Sequence, residues 1–297
     1  MELIKQNFSI KDLENLTGIK AHTIRIWEKR YNILNPDRTA TNIRTYDSSN
    51  LQKLLNISFL NEHGYKISRI SKLNEEEINK MVRNINAKAS TENRALNALK
   101  LSMINFDEEL FNTTYEDLRK DKSFREVFHL VFLPFLGNIG VLWQTDTIKP
   151  IHEHFIVDLI KQKIYLHLAE IKKTKKPNTE RLYVLFLPEN EIHDIGLIYL
   201  YYELIYNHRN AIYLGPSLPL SDLSYLMDRH EDICFLSYFT TSPVDINAFI
   251  KEFQKQVCQK KNYELLLFGQ KLKEVETQKF PPFIKKFDNL NQFLLSL

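Results

Sequence analysis

Glu191 and His193 stand one residue apart, and Gly196 follows, within the stretch Pro188-Glu189-Asn190-Glu191-Ile192-His193-Asp194-Ile195-Gly196. Imidazole is a good ligand for a transition metal such as cobalt, and a nearby carboxylate can hold its other ring nitrogen in one tautomer. The stretch follows an apolar strand and leads into a helical run, Leu197–Tyr206. A histidine in such a loop, beside a glycine that opens a helix, suits a ligand that is flat and needs an axial nitrogen. A lone loop histidine is more often a capping or packing residue, so the weight lies on the spacing and the strand context.

A second constellation is cationic. Between Lys20 and Arg44 lie Lys20, Arg25, Lys29, Arg30, Arg38 and Arg44 against Glu28 and Asp37, a local charge of +4 in a chain whose net charge is only +3. His22, Thr23, Arg25, Lys29 and Arg30 are groups able to reach base edges or phosphates from one helix. A solvated helical hairpin would also explain the charges alone. A third group is Trp143, followed after nine intervening residues by Glu153-His154. Its plain reading is a core tryptophan and an anion in the first turn of a helix opened by Pro150.

The elements that must position these groups fall into three zones: 1–75, 76–175 and 176–297. In the first, Ile10, Leu13 and Leu16, then Ile24 and Trp27, predict two short helices joined at Thr17-Gly18, a helix-turn-helix; Trp27 is expected in the core. The polar stretch Arg38 to Arg44 follows as a wing. The second zone is helical by period, as at Phe124, Phe128, Phe132 and Phe135. The Lys-rich stretch 172–180 reads as a linker. Beyond it, strands Leu182–Leu187, Ala211–Leu214, Cys234–Phe239 and Leu265–Phe268 alternate with helical segments, which predicts a parallel sheet whose ligands bind beyond the carboxyl ends of the strands. The expected fold is thus multidomain: an all-α winged helix-turn-helix, a four-helix bundle, and an α/β Rossmann-like, flavodoxin-like parallel-sheet domain.

A chain of 297 residues with 43% hydrophobic residues can bury a core in each zone. The start lacks the apolar run of a signal peptide and no stretch has the length of a membrane span, so a cytoplasmic protein with no membrane partner is expected. Two cysteines, Cys234 and Cys258, in apolar surroundings speak against a disulfide framework or a thiolate metal site.

The run Thr23-Ile24-Arg25-Ile26-Trp27-Glu28-Lys29-Arg30-Tyr31, then Leu34-Asn35-Pro36-Asp37-Arg38, then Arg44-Thr45-Tyr46-Asp47 resembles the MerR-type transcription regulators. The resemblance implies that the second helix enters the major groove and that Arg25, Arg44 and Tyr46 contact the DNA backbone. A symmetric dimer, or a tetramer, on an inverted repeat of double-stranded DNA is expected. The motif Glu191-x-His193-x-x-Gly196 resembles that of cobalamin-binding domains. This implies that His193 replaces the cofactor's own base as lower cobalt ligand, with the displaced nucleotide tail beside the sheet. Ser237-Tyr238-Phe239 and Gly269-Gln270 stand at that family's later motifs, the second with Gln270 in place of a glycine, where a side chain would narrow the tail's tunnel.

Trp143, Glu153 and His154 resemble the helical domain of the light-responsive, adenosylcobalamin-dependent MerR regulators, and imply a cap that encloses the adenosyl group. Gln144 stands where the photoreceptor members have histidine. The expected function is therefore a DNA-binding regulator, not an enzyme, controlled by cobalamin, adenosylcobalamin above all, and by light. The alternatives are a regulator whose cobalamin domain senses another small molecule or a partner protein, and a cobalamin-dependent methyltransferase or mutase. The last is disfavoured because no substrate barrel fits in the chain.

Overall fold

The computed structural model describes residues 7–39, 41–86, 91–144, 147–174, 181–259, 261–274 and 280–294. The chain divides into two compact units, Met1–Ile160 and Lys161–Leu297. This differs from the three zones read in the sequence. The first two zones share one unit, and the second boundary falls inside a long helix; most of the expected linker lies outside the described residues.

In the first unit, Ser9 caps α1 (Ile10–Thr17) with a capping box to Asp12, and Gly18 ends the helix at φ +77°, a left-handed conformation that glycine adopts without steric cost. Helix α2 (Ala21–Tyr31) has no cap from Lys20; the Glu14 carboxylate accepts the Ala21 N–H instead, at 3.2 Å. Strands β1 (Asp37–Arg38) and β2 (Arg44–Thr45) form the wing, and Asp47 caps α3 (Ser48–Glu62). Leu13, Leu16, Ile24, Trp27, Leu51 and Leu54 are buried, each large side chain contributing about 1.5–3 kcal/mol.

Helices α4 (Ile67–Ile70) and α5 (Glu75–Asn86) lead to the bundle. Its helices are α6 (Thr91–Asn105), α7 (Glu108–Arg119), a rod of α8 (Phe124–Val127), a π turn (Phe128–Phe132) and α9 (Leu133–Gln144), and α10 (Pro150–Thr174), which crosses into the second unit. The bundle grips the helix-turn-helix through side chains. Lys100 Nζ donates to the Leu16 carbonyl at 3.0 Å, and Asn15 donates to Thr147 at 2.8 Å. That grip accounts for their sharing one unit.

The second unit is a five-stranded parallel sheet. Its elements are β3 (Leu182–Pro188), α11 (Ile195–Tyr206), β4 (Asn210–Leu218), α12 (Ser224–Met227), β5 (Ile233–Tyr238), α13 (Ile246–Gln256), β6 (Glu264–Phe268), β7 (Ile284–Lys286) and α14 (Leu290–Leu294). The order β4-β3-β5-β6-β7 is the flavodoxin-like 2-1-3-4-5, whose direction reverses between the first and third strands. Those are β3 and β5, so the loops that follow them flank the place where such sheets bind ligands. Among the described residues, no helix is long and apolar enough to cross a membrane.

Candidate functional site

Glu191 ties together the two loops at the switch point. Its carboxylate is fully buried. One oxygen accepts the N–H groups of Ile192 and His193 at 3.0 Å each, and the other accepts those of Thr240, Thr241 and Ser242 at 3.0, 2.7 and 2.8 Å. The His193 Nδ1 lies 2.6 Å from the first oxygen. Burial pushes the Glu191 carboxyl up, but the His193 ring and the backbone N–H groups of Ser242, Thr241 and His193 outweigh it and hold the group far below the ordinary carboxylate range. A carboxylate that stays ionised makes Nδ1 the protonated nitrogen and Nε2 the nitrogen a metal would take. The His193 side chain is 36% exposed.

Asp194, next in the loop, is held by the Tyr213 hydroxyl at 2.9 Å and by Lys161 of α10. Ser217 of β4 joins the same loop: its N–H donates to the Glu191 carbonyl and its hydroxyl accepts the Asn190 N–H. The loop is therefore fixed by strand ends on both sides and by a helix. Exposed apolar side chains of the sheet unit include Ile192 in this loop, at 62%, Leu214 on β4, at 39%, and Val244 after β5, at 92%.

Gly196 opens α11, as its place in the motif requires; a Cβ there would lie 2.7 Å from Tyr238 Cε2. Gly269, at φ +113°, packs so closely on Phe239 that a Cβ would lie 2.1 Å from its carbonyl oxygen. Gln270 is exposed. Ser237 is fully buried and, among the described residues, its Oγ has no hydrogen-bond partner. Cys234 is a buried free thiol pushed up by burial, and Cys258 is also free.

These residues fit a corrin. A bare ion needs three or four protein ligands, and among the described residues no group of three or more His, Cys, Asp or Glu side chains could supply them. A metal carried in its own macrocycle needs one axial donor, which a carboxylate-held imidazole provides.

In the first unit, α2 buries Ile24 and Trp27 and exposes His22, Arg25, Ile26, Lys29 and Arg30, with Thr23 half-buried. Arg38 is exposed and bonds the Asn42 side chain at 2.7 Å across the wing turn. Tyr46 departs from its expected position: it is fully buried, and its hydroxyl donates to Glu28. Phe8 pairs with Tyr46 on both backbone groups, which pulls the ring inward. Burial first and the Glu28 carboxylate second raise the Tyr46 phenol. Arg44 bonds the other Glu28 oxygen at 3.1 Å. Glu28, counted in the sequence only as a stray anion, thus locks the wing to the second helix.

Trp143 and Gln144 end α9, and their side chains lie outside the described part of the structure. Glu153 is half-buried in the first turn of α10 and His154 is exposed, whereas the neighbouring His152 is buried and stacked on Phe106. An exposed apolar stripe, Leu130, Leu133 and Pro134, runs along the same rod towards Trp143.

Residues 8–77 match the model of the MerR HTH family regulatory proteins, and residues 95–166 match that of a B12 binding domain. The second match falls on helices α6 to α10. A similar protein is the HTH-type transcriptional repressor CarH of Myxococcus xanthus, 22% identical over 229 residues, 74% of this chain and 75% of the relative. In fold the chain is similar to the monomethylamine corrinoid protein of Methanosarcina barkeri, with a TM-score of 0.54 at 13% identity, covering 68% of this chain and 96% of that one.

Proposed function

We propose that this chain, a MerR-type DNA-binding transcription regulator with a B12-binding domain, holds adenosylcobalamin through His193 and couples its presence to promoter binding. The observation that carries the reading is the Glu191–His193 pair, gathered by backbone N–H groups of two loops at the sheet's switch point. Glu191 orients the imidazole and keeps its Nδ1 protonated; a corrin held there would lie against the exposed apolar side chain of Ile192. Reconstitution with adenosylcobalamin in the dark, followed by gel filtration, should leave corrin absorption in the protein fraction. A colourless protein would favour the alternative in which the same fold senses another molecule.

On DNA, Arg25, Lys29 and Arg30 of α2 face the duplex with His22 and Thr23, and the wing arginines Arg38 and Arg44 grip phosphate. Tyr46 acts through Glu28, which sets the wing's angle. The chain works as a homo-oligomer, a dimer at least, on an inverted repeat. Arg25→Ala and Arg44→Ala should each weaken binding to all sequences alike and reduce the salt slope by about one. Salt slopes equal to wild type in both variants would remove these arginines from the interface.

Trp143 supplies an apolar wall for the adenosyl group, and Glu153 and His154 supply polar contacts. When bound, adenosylcobalamin brings a cobalt–carbon bond that light cleaves, chemistry that belongs to the cofactor. Gln144 offers only an amide, a weaker cobalt ligand than imidazole. Illumination should therefore change the spectrum and dissociate a dark-assembled oligomer incompletely, and Gln144→His should make the change more lasting. Identical elution of dark and lit samples, for both proteins, would exclude a regulatory role for light.

A further inference from the structure

We infer that Tyr238 determines which corrinoid this site accepts: its ring fills the space beside the His193 loop that a displaced nucleotide arm needs, so a corrinoid without that arm is taken at least as readily as complete cobalamin. The inference rests on the reading of His193 as axial ligand. When a protein imidazole takes the lower position on cobalt, cobalamin's own base leaves the metal but stays tethered on that same face. The arm must then pass into the protein beside His193.

The structure leaves few routes. β5 ends with Ser237 and Tyr238 on opposite faces of the sheet, because side chains alternate along a strand. On the Ser237 face, Phe239, Phe249 and Phe253 belong to one buried cluster, with Phe239 and Phe249 edge to face at 5.1 Å. Between β5 and β6, Gly269 lies against the Phe239 backbone, which cannot be moved aside by a rotamer change. Entry there means opening the core.

On the other face the nearest obstruction at Gly196 is one side chain, Tyr238. Gly196 lacks a Cβ and so leaves a gap three residues after His193, yet a Cβ placed there would meet Tyr238 Cε2 at 2.7 Å, Cζ at 2.8 Å and Cδ2 at 3.0 Å. The ring lies flush on the glycine and occupies what the glycine opens. Among the described residues nothing hydrogen-bonds to the Tyr238 hydroxyl, so packing alone holds the ring. A side chain of this kind discriminates by volume, as pocket walls do in selecting among related ligands.

The test is an absorption titration of the full-length apoprotein with aquacobalamin and with diaquacobinamide, which lacks the nucleotide arm, for wild type, Tyr238→Phe, Tyr238→Ala and Tyr238→Val. Wild type and Tyr238→Phe should bind the two corrinoids within about threefold of each other, and Tyr238→Ala should shift the ratio towards cobalamin by about tenfold or more. Tyr238→Val keeps an apolar strand residue and should show the same shift if the alanine variant does not fold. A wild type that prefers cobalamin by about tenfold or more, with a ratio unchanged in the variants, overturns the inference and leaves His193 ligation standing. Retention of neither corrinoid by any of the proteins overturns the cobalamin reading and this inference with it.

Discussion

Glu191→Gln should unfasten the loops at the switch point and destabilise the sheet unit by roughly 3 kcal/mol or more. Both carboxylate oxygens are acceptors, one for Ile192, His193 and the His193 ring, the other for Thr240, Thr241 and Ser242. A glutamine has one oxygen and one NH2. Whichever way it is turned, its N–H groups face backbone N–H groups in a fully buried place. Each stranded donor costs about 1–3 kcal/mol, and relaxation of the Thr240–Ser242 loop lowers the total. Trp27 and Trp143 both lie in the first unit, so tryptophan fluorescence does not report on the sheet. Hydrogen exchange does: the amides of Thr240, Thr241 and Ser242 should be protected in wild type and exchange freely in the variant. Equal protection in both would show that Glu191 is not the fastening group.

The same carboxylate gives the sheet unit an acid limb. Its folded value lies far below that of an unfolded glutamate, because the hydrogen bonds to the charged form outweigh burial. A depressed carboxyl contributes stability that is whole above the unfolded value of about 4.3 and is lost progressively as the pH falls below it. Protection of these amides in wild type should therefore decline progressively as the pH falls below about 4, while Glu191→Gln, already unfastened, should show little of that dependence.

Much of this site is legible in the sequence because it is local. Glu191-x-His193 puts two partners on one short loop, and Gly196 marks where the next helix begins. Strands β3, β5 and β6 announce themselves as apolar runs buried on both faces, as inner parallel strands are, whereas β4, at the sheet edge, is only partly buried. β7 does not: Ile284–Lys286 is three residues long, two of them lysines, with only Ile284 buried, so it has no apolar run to detect. The donors from Thr240, Thr241 and Ser242 are backbone groups, which residue types do not encode. Glu28 reads as a surface anion until the fold brings Arg44 and Tyr46 to it from across the wing. The burial of Tyr46 has the same origin, since the Phe8 strand segment that draws it in is remote in sequence. Lys161 likewise meets Asp194 only through the fold.

His193→Ala should leave the fold intact and weaken corrinoid retention at least about a hundredfold. The fold survives because Glu191 keeps its backbone donors from both loops; the lost ring hydrogen bond, on a partly exposed side chain, costs about 1–2 kcal/mol. On the proposed reading retention fails because the ring would be the axial donor, and its two neighbours cannot take its place: Asp194 is already engaged by Tyr213 and Lys161, and Ile192 is apolar. The two roles separate experimentally. Protection of the Thr240–Ser242 amides should match wild type in His193→Ala and fall in Glu191→Gln, whereas corrin absorption in the protein fraction should be lost in the first. Adding free imidazole should restore part of the absorption to His193→Ala, because a small ligand can enter the vacated position beside Glu191. If His193→Ala holds adenosylcobalamin as tightly as wild type, with the same spectrum, the Glu191–His193 pair is a loop clasp alone and the regulator answers to a different ligand.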